Sequence, residues 1–193
     1  MKVLALIFIL CTTGCGLTLP TSLPDVKMPD SISFDTSPTV YTLKRVIDGD
    51  EVILQKYETD YHVKLIGVDS PRKGDRLEER AKSALEHWLS LGKIRVEFDG
   101  QRKDIEGRRT AFLVLDVPPK NQPSIHPHQS KLPRIYMGKD KLTRHEWVCV
   151  NMLIVRDGYS RYRHSAASSK YKSWFEICQK EAREAGRGVW KRR

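Results

Sequence analysis

Two short apolar runs, each delivering an acidic residue beside a turn, constrain this chain more than any other feature. The first is Val46-Ile47-Asp48-Gly49-Asp50-Glu51-Val52, and the second is Val63-Lys64-Leu65-Ile66-Gly67-Val68-Asp69-Ser70-Pro71. Gly49 lets the backbone bend sharply just before Asp50. The second run reads as a buried strand that ends at Asp69, and Pro71 stops it. If the two strands are neighbours, the carboxylates of Asp50 and Asp69 share one hard cation. All-oxygen donors of that kind suit Ca²⁺ or Mg²⁺. Either segment alone reads as a hairpin turn that happens to use Asp. The two in this order, followed by Gly107-Arg108 and another strand, are more specific.

The surrounding pattern supplies a fold. Val40–Val46, Glu51–Tyr57 and Tyr61–Val68 read as three strands separated by turn-forming segments. Leu77, Ala81, Ala84, Leu85, Trp88 and Leu89 recur at helical spacing, and Gly92 is placed to end that helix. Lys93–Phe98 and Arg109–Val117 read as a fourth and a fifth strand. Five strands with a helix between the third and fourth predict an α+β fold: a five-stranded OB-type barrel with about three helices. Pro118 to Glu146 reads as an insertion, since five prolines argue against a regular interior element. Arg134 to Met137 is a candidate short strand within it. His126, His128 and His145 read as surface histidines, because no Cys or nearby carboxylate completes a metal set. Asn151–Asp157 is a predicted short helix closed at Gly158. A final helix is predicted with Ser168 or Ser169 as cap and an apolar face of Tyr171, Trp174, Cys178, Ala182 and Ala185. Trp174 and Trp190 read as core. Cys149 and Cys178 are either a disulfide or two small buried hydrophobes, and the second reading is preferred.

The first residues suggest export. Lys2 precedes an apolar run, Val3 to Cys11, too short for the roughly 20 residues a membrane-spanning helix needs. Thr12-Thr13-Gly14-Cys15 resembles the bacterial lipoprotein cleavage box. That resemblance implies residues 1–15 as a signal peptide with lipidation at Cys15. It places the chain in the bacterial cell envelope, anchored to membrane, with plain secretion as the alternative. Residues 16–38, rich in Pro, Ser and Thr, read as a tether, and 39–193 as the folded domain. The formal net charge is +10, which favours an anionic partner such as nucleic acid or an anionic membrane surface. A monomer is expected, since nothing marks a coiled coil or a repeat.

The ordered set Ile47-Asp48-Gly49-Asp50, Leu65 to Pro71, Val96-Glu97-Phe98-Asp99, Gly107-Arg108, Val155-Arg156-Asp157-Gly158 and Ala182 to Trp190 resembles the staphylococcal nuclease family. The resemblance implies Ca²⁺-dependent hydrolysis of DNA and RNA phosphodiesters. It implies Asp50, Asp69 and the Ser70 carbonyl as metal ligands, and Arg108 as a phosphate arginine. Glu51, in place of a common threonine, adds a carboxylate beside that site. Two positions depart from the family. Lys64 stands where the family has its first phosphate arginine, keeping the charge but losing the two-pronged fork. Arg72 stands where the family has a glutamate near the attacking water, and a guanidinium cannot accept a proton at neutral pH. Lys64, Arg72 and Arg108 are therefore the candidate catalytic positions. Lys64 and Arg108 also contact substrate, and Tyr159 and Tyr162 are candidates for stacking on bases in place of family tyrosines.

Three readings follow. One is an exported nuclease with a degenerate catalytic set. The alternative is a catalytically impaired module of the same fold that binds nucleic acid. The third is an envelope protein that meets a partner through its insertion.

Overall fold

The computed structural model describes residues 39–97, 103–122, 136–139 and 144–191. The signal and tether segments, Cys15, His126 and His128 lie outside the described residues.

An antiparallel meander starts the fold: β1 (Val40–Asp48), β2 (Glu51–Lys56) and β3 (Thr59–Leu65), with Val52 opposite both Val46 and Val63. β5 (Lys93–Glu97) pairs antiparallel with β1 and with β6 (Arg109–Val117), and β6 runs parallel to β3. The ring β1-β2-β3-β6-β5 is thereby closed, which leaves no exposed sheet edge around its waist. β6 is buried without interruption from Ala111 to Val117. Its one acidic residue, Asp116, is met by Arg95 at 3.0 Å and by His145 at 2.6 Å. His145 is thus tied to the barrel, not a plain surface histidine.

The insertion returns to the sheet. β8 (Glu146–Cys149) pairs antiparallel with β6, and β7 (Tyr136–Lys139) pairs with β8. β7 overlaps the short strand expected over Arg134–Met137, whereas no strand was expected at 146–149. Trp147 and Val148 are bracketed by too few alternating residues for the pattern to declare itself.

The strand expected over Tyr61–Val68 is split. β3 ends at Leu65, Ile66 N–H donates to the Ala111 carbonyl at 3.0 Å, and Gly67 turns the chain at φ +75°. A side chain at Gly67 would meet the Phe175 ring at 2.9 Å. Val68–Asp69 then forms a separate strand, β4, paired with β9 (Arg161–Tyr162). Asp69 therefore rides on a second ribbon, not on the strand next to Asp50.

Three α-helices, among the described residues, pack on the barrel. α1 (Glu78–Leu89) is closed by Ser90, whose N–H reaches the Glu86 and His87 carbonyls. Gly92 does not cap it: a Cβ there would lie 2.4 Å from the Asp116 carbonyl oxygen, so this glycine serves a close approach to β6. α2 (Val150–Arg156) is wholly buried. Its Asn151 side chain accepts from Leu113 N–H at 2.9 Å and donates to the Ile66 and Ala111 carbonyls at 2.9 and 3.1 Å. One buried amide thus locks α2, β6 and the turn after β3 together. α3 (Lys172–Glu184) follows a 3-10 turn, Ala166–Tyr171, which is capped by Ser165 together with Ser168. The cap therefore sits before that turn, three residues earlier than the Ser168 position expected. α3 buries Trp174, Phe175, Cys178 and Ala182, while Ala185 is exposed. Cys149 and Cys178 are free, buried thiols. Burial pushes the Cys149 thiol up to about 12 and Cys178 upward as well, which makes both inert hydrophobes at neutral pH.

Candidate functional site

The turn between β1 and β2 is squeezed. A Cβ at Gly49 would lie 2.6 Å from the Ser70 hydroxyl and 2.7 Å from the Ala81 methyl group. Asp48 accepts from the Asp50 N–H at 2.9 Å, which holds the turn and aims Asp50 inward, where it is 4% exposed. Asp50 Oδ1 accepts from Lys64 Nζ at 2.7 Å, and Oδ2 accepts from the Ser70 N–H at 3.3 Å. Glu51 pairs with Lys64 across β2 and β3 in the ladder. Its carboxylate takes Lys64 at 3.2 Å and His62 at 3.0 Å, and it also binds the Arg108 guanidinium.

Arg108 enters from the other side. Gly107, at φ +75°, turns the chain, and Asp104 grips the turn by accepting from the Arg108 N–H at 2.9 Å. The second Asp104 oxygen takes Arg108 Nε at 2.7 Å, and Glu106 adds a contact at 2.8 Å. The guanidinium is therefore held rigidly at the mouth of a cavity of about 1080 Å³ that also receives Asp50, Lys64 and Asp69.

At the β1–β2 turn the three carboxylates Asp48, Asp50 and Glu51 outnumber the two cations, Lys64 and Arg108, that meet them. Burial, with the Asp48 carboxylate beside it, pushes Asp50 up to about 7 although Lys64 opposes the shift. Burial works against the charge on Lys64, but Asp50 and Glu51 outweigh it and raise that ammonium above its ordinary value. Arg108 is raised for the same reason by Asp104 and Glu51 against its own burial. Asp48, Asp50 and Glu51 offer carboxylate oxygens within 4.8 Å of one another. An all-oxygen set with surplus negative charge fits a hard divalent cation.

The structure brings together Asp50, Lys64 and Arg108. Asp69 lines the same cavity from β4, half exposed, with Arg163 at 4.0 Å. Ser70 contributes its backbone to Asp50, and its hydroxyl bonds to Ser160 at 2.6 Å. Arg72 is exposed and lines a different, adjoining cavity. Tyr159 packs edge-on against Trp88 at 5.7 Å, and Tyr162 stacks on Phe175 at 4.9 Å, so each ring has one face or edge committed to the core. Asp48, His62, Asp104 and Glu106 belong to the cluster but were not singled out in the sequence. Three carboxylates in the four residues Asp48 to Glu51, wrapped around a glycine, were the available signal for Asp48.

A family model described as staphylococcal nuclease homologue matches residues 62–192. A thermonuclease of Staphylococcus intermedius is 26% identical over 166 residues, covering 83% of this chain and 81% of that protein. A thermonuclease of Staphylococcus hyicus is 25% identical over 156 residues, covering 78% of this chain and 75% of that protein.

Proposed function

The chain belongs to the staphylococcal nuclease family, and from that premise we propose that it hydrolyses phosphodiester bonds of DNA or RNA in the Asp50–Lys64–Arg108 cleft. The observation that carries this reading is the convergence of Lys64 and Arg108 on the buried carboxylates of Asp50 and Glu51. Asp48, Asp50 and Glu51 would hold Ca²⁺, with Asp69 lining the same cavity and the Ser70 backbone next to Asp50. A bound Ca²⁺ supplies Lewis-acid stabilisation of the charge that gathers on the phosphoryl group.

The protein's own groups do the rest. Arg108, fixed by Asp104 and Glu106, presents guanidinium N–H groups to a phosphoryl oxygen, a preorganised donor that costs no rearrangement as charge develops. Lys64 brings a point charge to the same oxygens once it leaves the carboxylates. A carboxylate of the Asp48–Glu51 turn is the available group to orient water, since Arg72 cannot take a proton. Tyr159 and Tyr162 offer their remaining exposed surfaces for base contact.

A second reading, a nucleic-acid-binding module of reduced activity, is favoured by one observation. Arg72 stands beside Pro71 with its charge directed into a neighbouring cavity, and no carboxylate replaces the family glutamate there. Cleavage of labelled single-stranded DNA and RNA with Ca²⁺ or with chelator separates the two. Ca²⁺-dependent cleavage that disappears in Asp50→Ala supports the nuclease. Tight binding without cleavage overturns it in favour of the module. Export with lipidation at Cys15 belongs to the same proposal. Palmitate labelling that persists in Cys15→Ala would sink that part.

A further inference from the structure

A second cavity, about 450 Å³, adjoins the first across Asp69, which lines both. Arg72 and Arg76 enter it from the loop before α1, Arg161 from β9, and Lys191 from the 3-10 turn Gly188–Trp190. Its charges are arranged unlike those of the first cavity. There, Lys64 and Arg108 are both met by carboxylates. Here, none of the four cations is ion-paired with a described residue. The two carboxylates in the lining are engaged elsewhere: Asp75 accepts from the Leu77 N–H at 3.1 Å, and Asp69 faces Arg163 at 4.0 Å.

The walls are built, not loose. Asp75 N–H donates to the Arg72 carbonyl at 2.9 Å, and Val189 N–H donates to the Gly158 carbonyl at 2.8 Å. A Cβ on Gly188 would lie 2.0 Å from that carbonyl oxygen, so the two glycines seat the C-terminal turn against the loop after α2. The Arg161 guanidinium lies over the Trp190 ring at 5.2 Å, which orients it while leaving its charge unneutralised. Four cations against the two carboxylates Asp69 and Asp75 leave this cavity with a positive surplus that a bound anion would relieve. Guanidinium forks match phosphate oxygens.

We infer that this cavity binds a second phosphate of the same nucleic-acid strand whose reacting phosphate enters the Asp50–Lys64–Arg108 cleft. The inference rests on the nucleic-acid reading of that cleft. Arg72 then acts as a phosphate anchor for the polymer, and the preferred substrate is a single strand long enough to span both cavities. The partner is a nucleic acid, not an anionic lipid surface, because the cations line a cavity that shares Asp69 with the cleft.

The test is fluorescence anisotropy with a single-stranded oligonucleotide of about ten nucleotides. It is run in chelator across a salt series on the full-length chain. The Arg76→Gln/Lys191→Gln double variant changes two exposed side chains outside the reaction cleft, and matching thermal melts check its fold. Expected are affinity roughly tenfold weaker and a salt slope shallower by about 0.7, the contribution of one phosphate contact on a single strand. Unchanged affinity and slope in the double variant, with weaker binding in Arg108→Gln, would overturn the second site and leave the first cleft standing. No binding by the parent chain overturns both. Loss of sedimentation with phosphatidylglycerol vesicles in the double variant, with oligonucleotide binding intact, would assign the cations to a membrane and overturn the inference.

Discussion

The two cavities that meet at Asp69 handle charge in opposite ways. The first sinks its carboxylates into the barrel wall and neutralises its cations with them, so Asp50 is 4% exposed and pairs with Lys64 at 2.7 Å. The second keeps its cations exposed and unpaired. Buried, compensated charge holds a fixed geometry at a cost in desolvation, which suits stabilising charge that appears only in a transition state. Exposed, uncompensated charge attracts a polyanion over distance and releases counter-ions on binding, which suits affinity. Under the proposed function, reaction falls to the first cavity and grip to the second.

The largest effect should fall on the first cavity. Asp50→Ala and Arg108→Ala should each lower the cleavage rate by about 10²–10³-fold, the usual loss when a preorganised electrostatic group is removed. Oligonucleotide affinity measured in chelator should change far less for Asp50→Ala. An equal loss of rate and affinity would break the division of labour.

Stability should show the cost of that burial. Burial pushes the Asp50 carboxyl up to about 7, well above the usual carboxylate range. Its contribution to stability is therefore fully present below about pH 4 and is lost as pH rises through about 7. Asp50→Asn in chelator should thus melt higher than the parent at pH 8, by the equivalent of a few kcal/mol, with the gap closing towards pH 5. Addition of Ca²⁺ should raise the parent's melting temperature at pH 8 and leave the variant's nearly unmoved. A gap that does not depend on pH would show that Asp50 ionises normally.

Glu51 sharpens the same region. Its carboxylate meets His62 and Lys64 as well as Arg108, so Glu51→Gln removes one oxygen donor's charge and loosens two cations. Ca²⁺ affinity by calorimetry should fall about 10–100-fold, the range seen when groups around a metal site are changed. An unchanged affinity would remove Glu51 from the cation-binding set.

These residues also show what a sequence can carry. The barrel was legible because its strands announce themselves by alternation, and Arg109–Val117 by the apolar run Ala111–Leu115 at its centre. Asp50, Lys64 and Arg108 were legible through family order. Asp69 was placed on the wrong strand, because the turn at Gly67 is dictated by the Phe175 ring more than a hundred residues away, and local pattern does not register such a contact. β8 was missed because it is short and follows a proline-rich stretch, although β7 overlaps the short strand expected over Arg134–Met137. The grouping of Arg72 with Arg161 and Lys191 was invisible for a related reason. It exists only because β9 pairs with β4 and the last turn docks on Gly158.

Arg72 gives the smallest and sharpest break of the comparison. By family position it belongs to the reaction cavity, as the replacement for a water-positioning glutamate. By geometry it belongs to the cavity of Arg76, Arg161 and Lys191. Arg72→Glu distinguishes the two. If geometry governs, the new carboxylate sits among three cations, weakens oligonucleotide binding roughly tenfold, and leaves saturated turnover within about threefold of the parent. If family position governs, the carboxylate reaches the attacking water and turnover rises by something approaching the ~10²-fold that a general base supplies. Single-turnover rates at saturating enzyme separate the outcomes, because binding no longer limits them. A large rise would move Arg72 into the reaction cavity and mark the native chain as a nuclease disarmed at one position. A flat rate with a weaker half-saturation point would leave the chemistry to the Asp48–Glu51 turn and the grip to the arginines beside it.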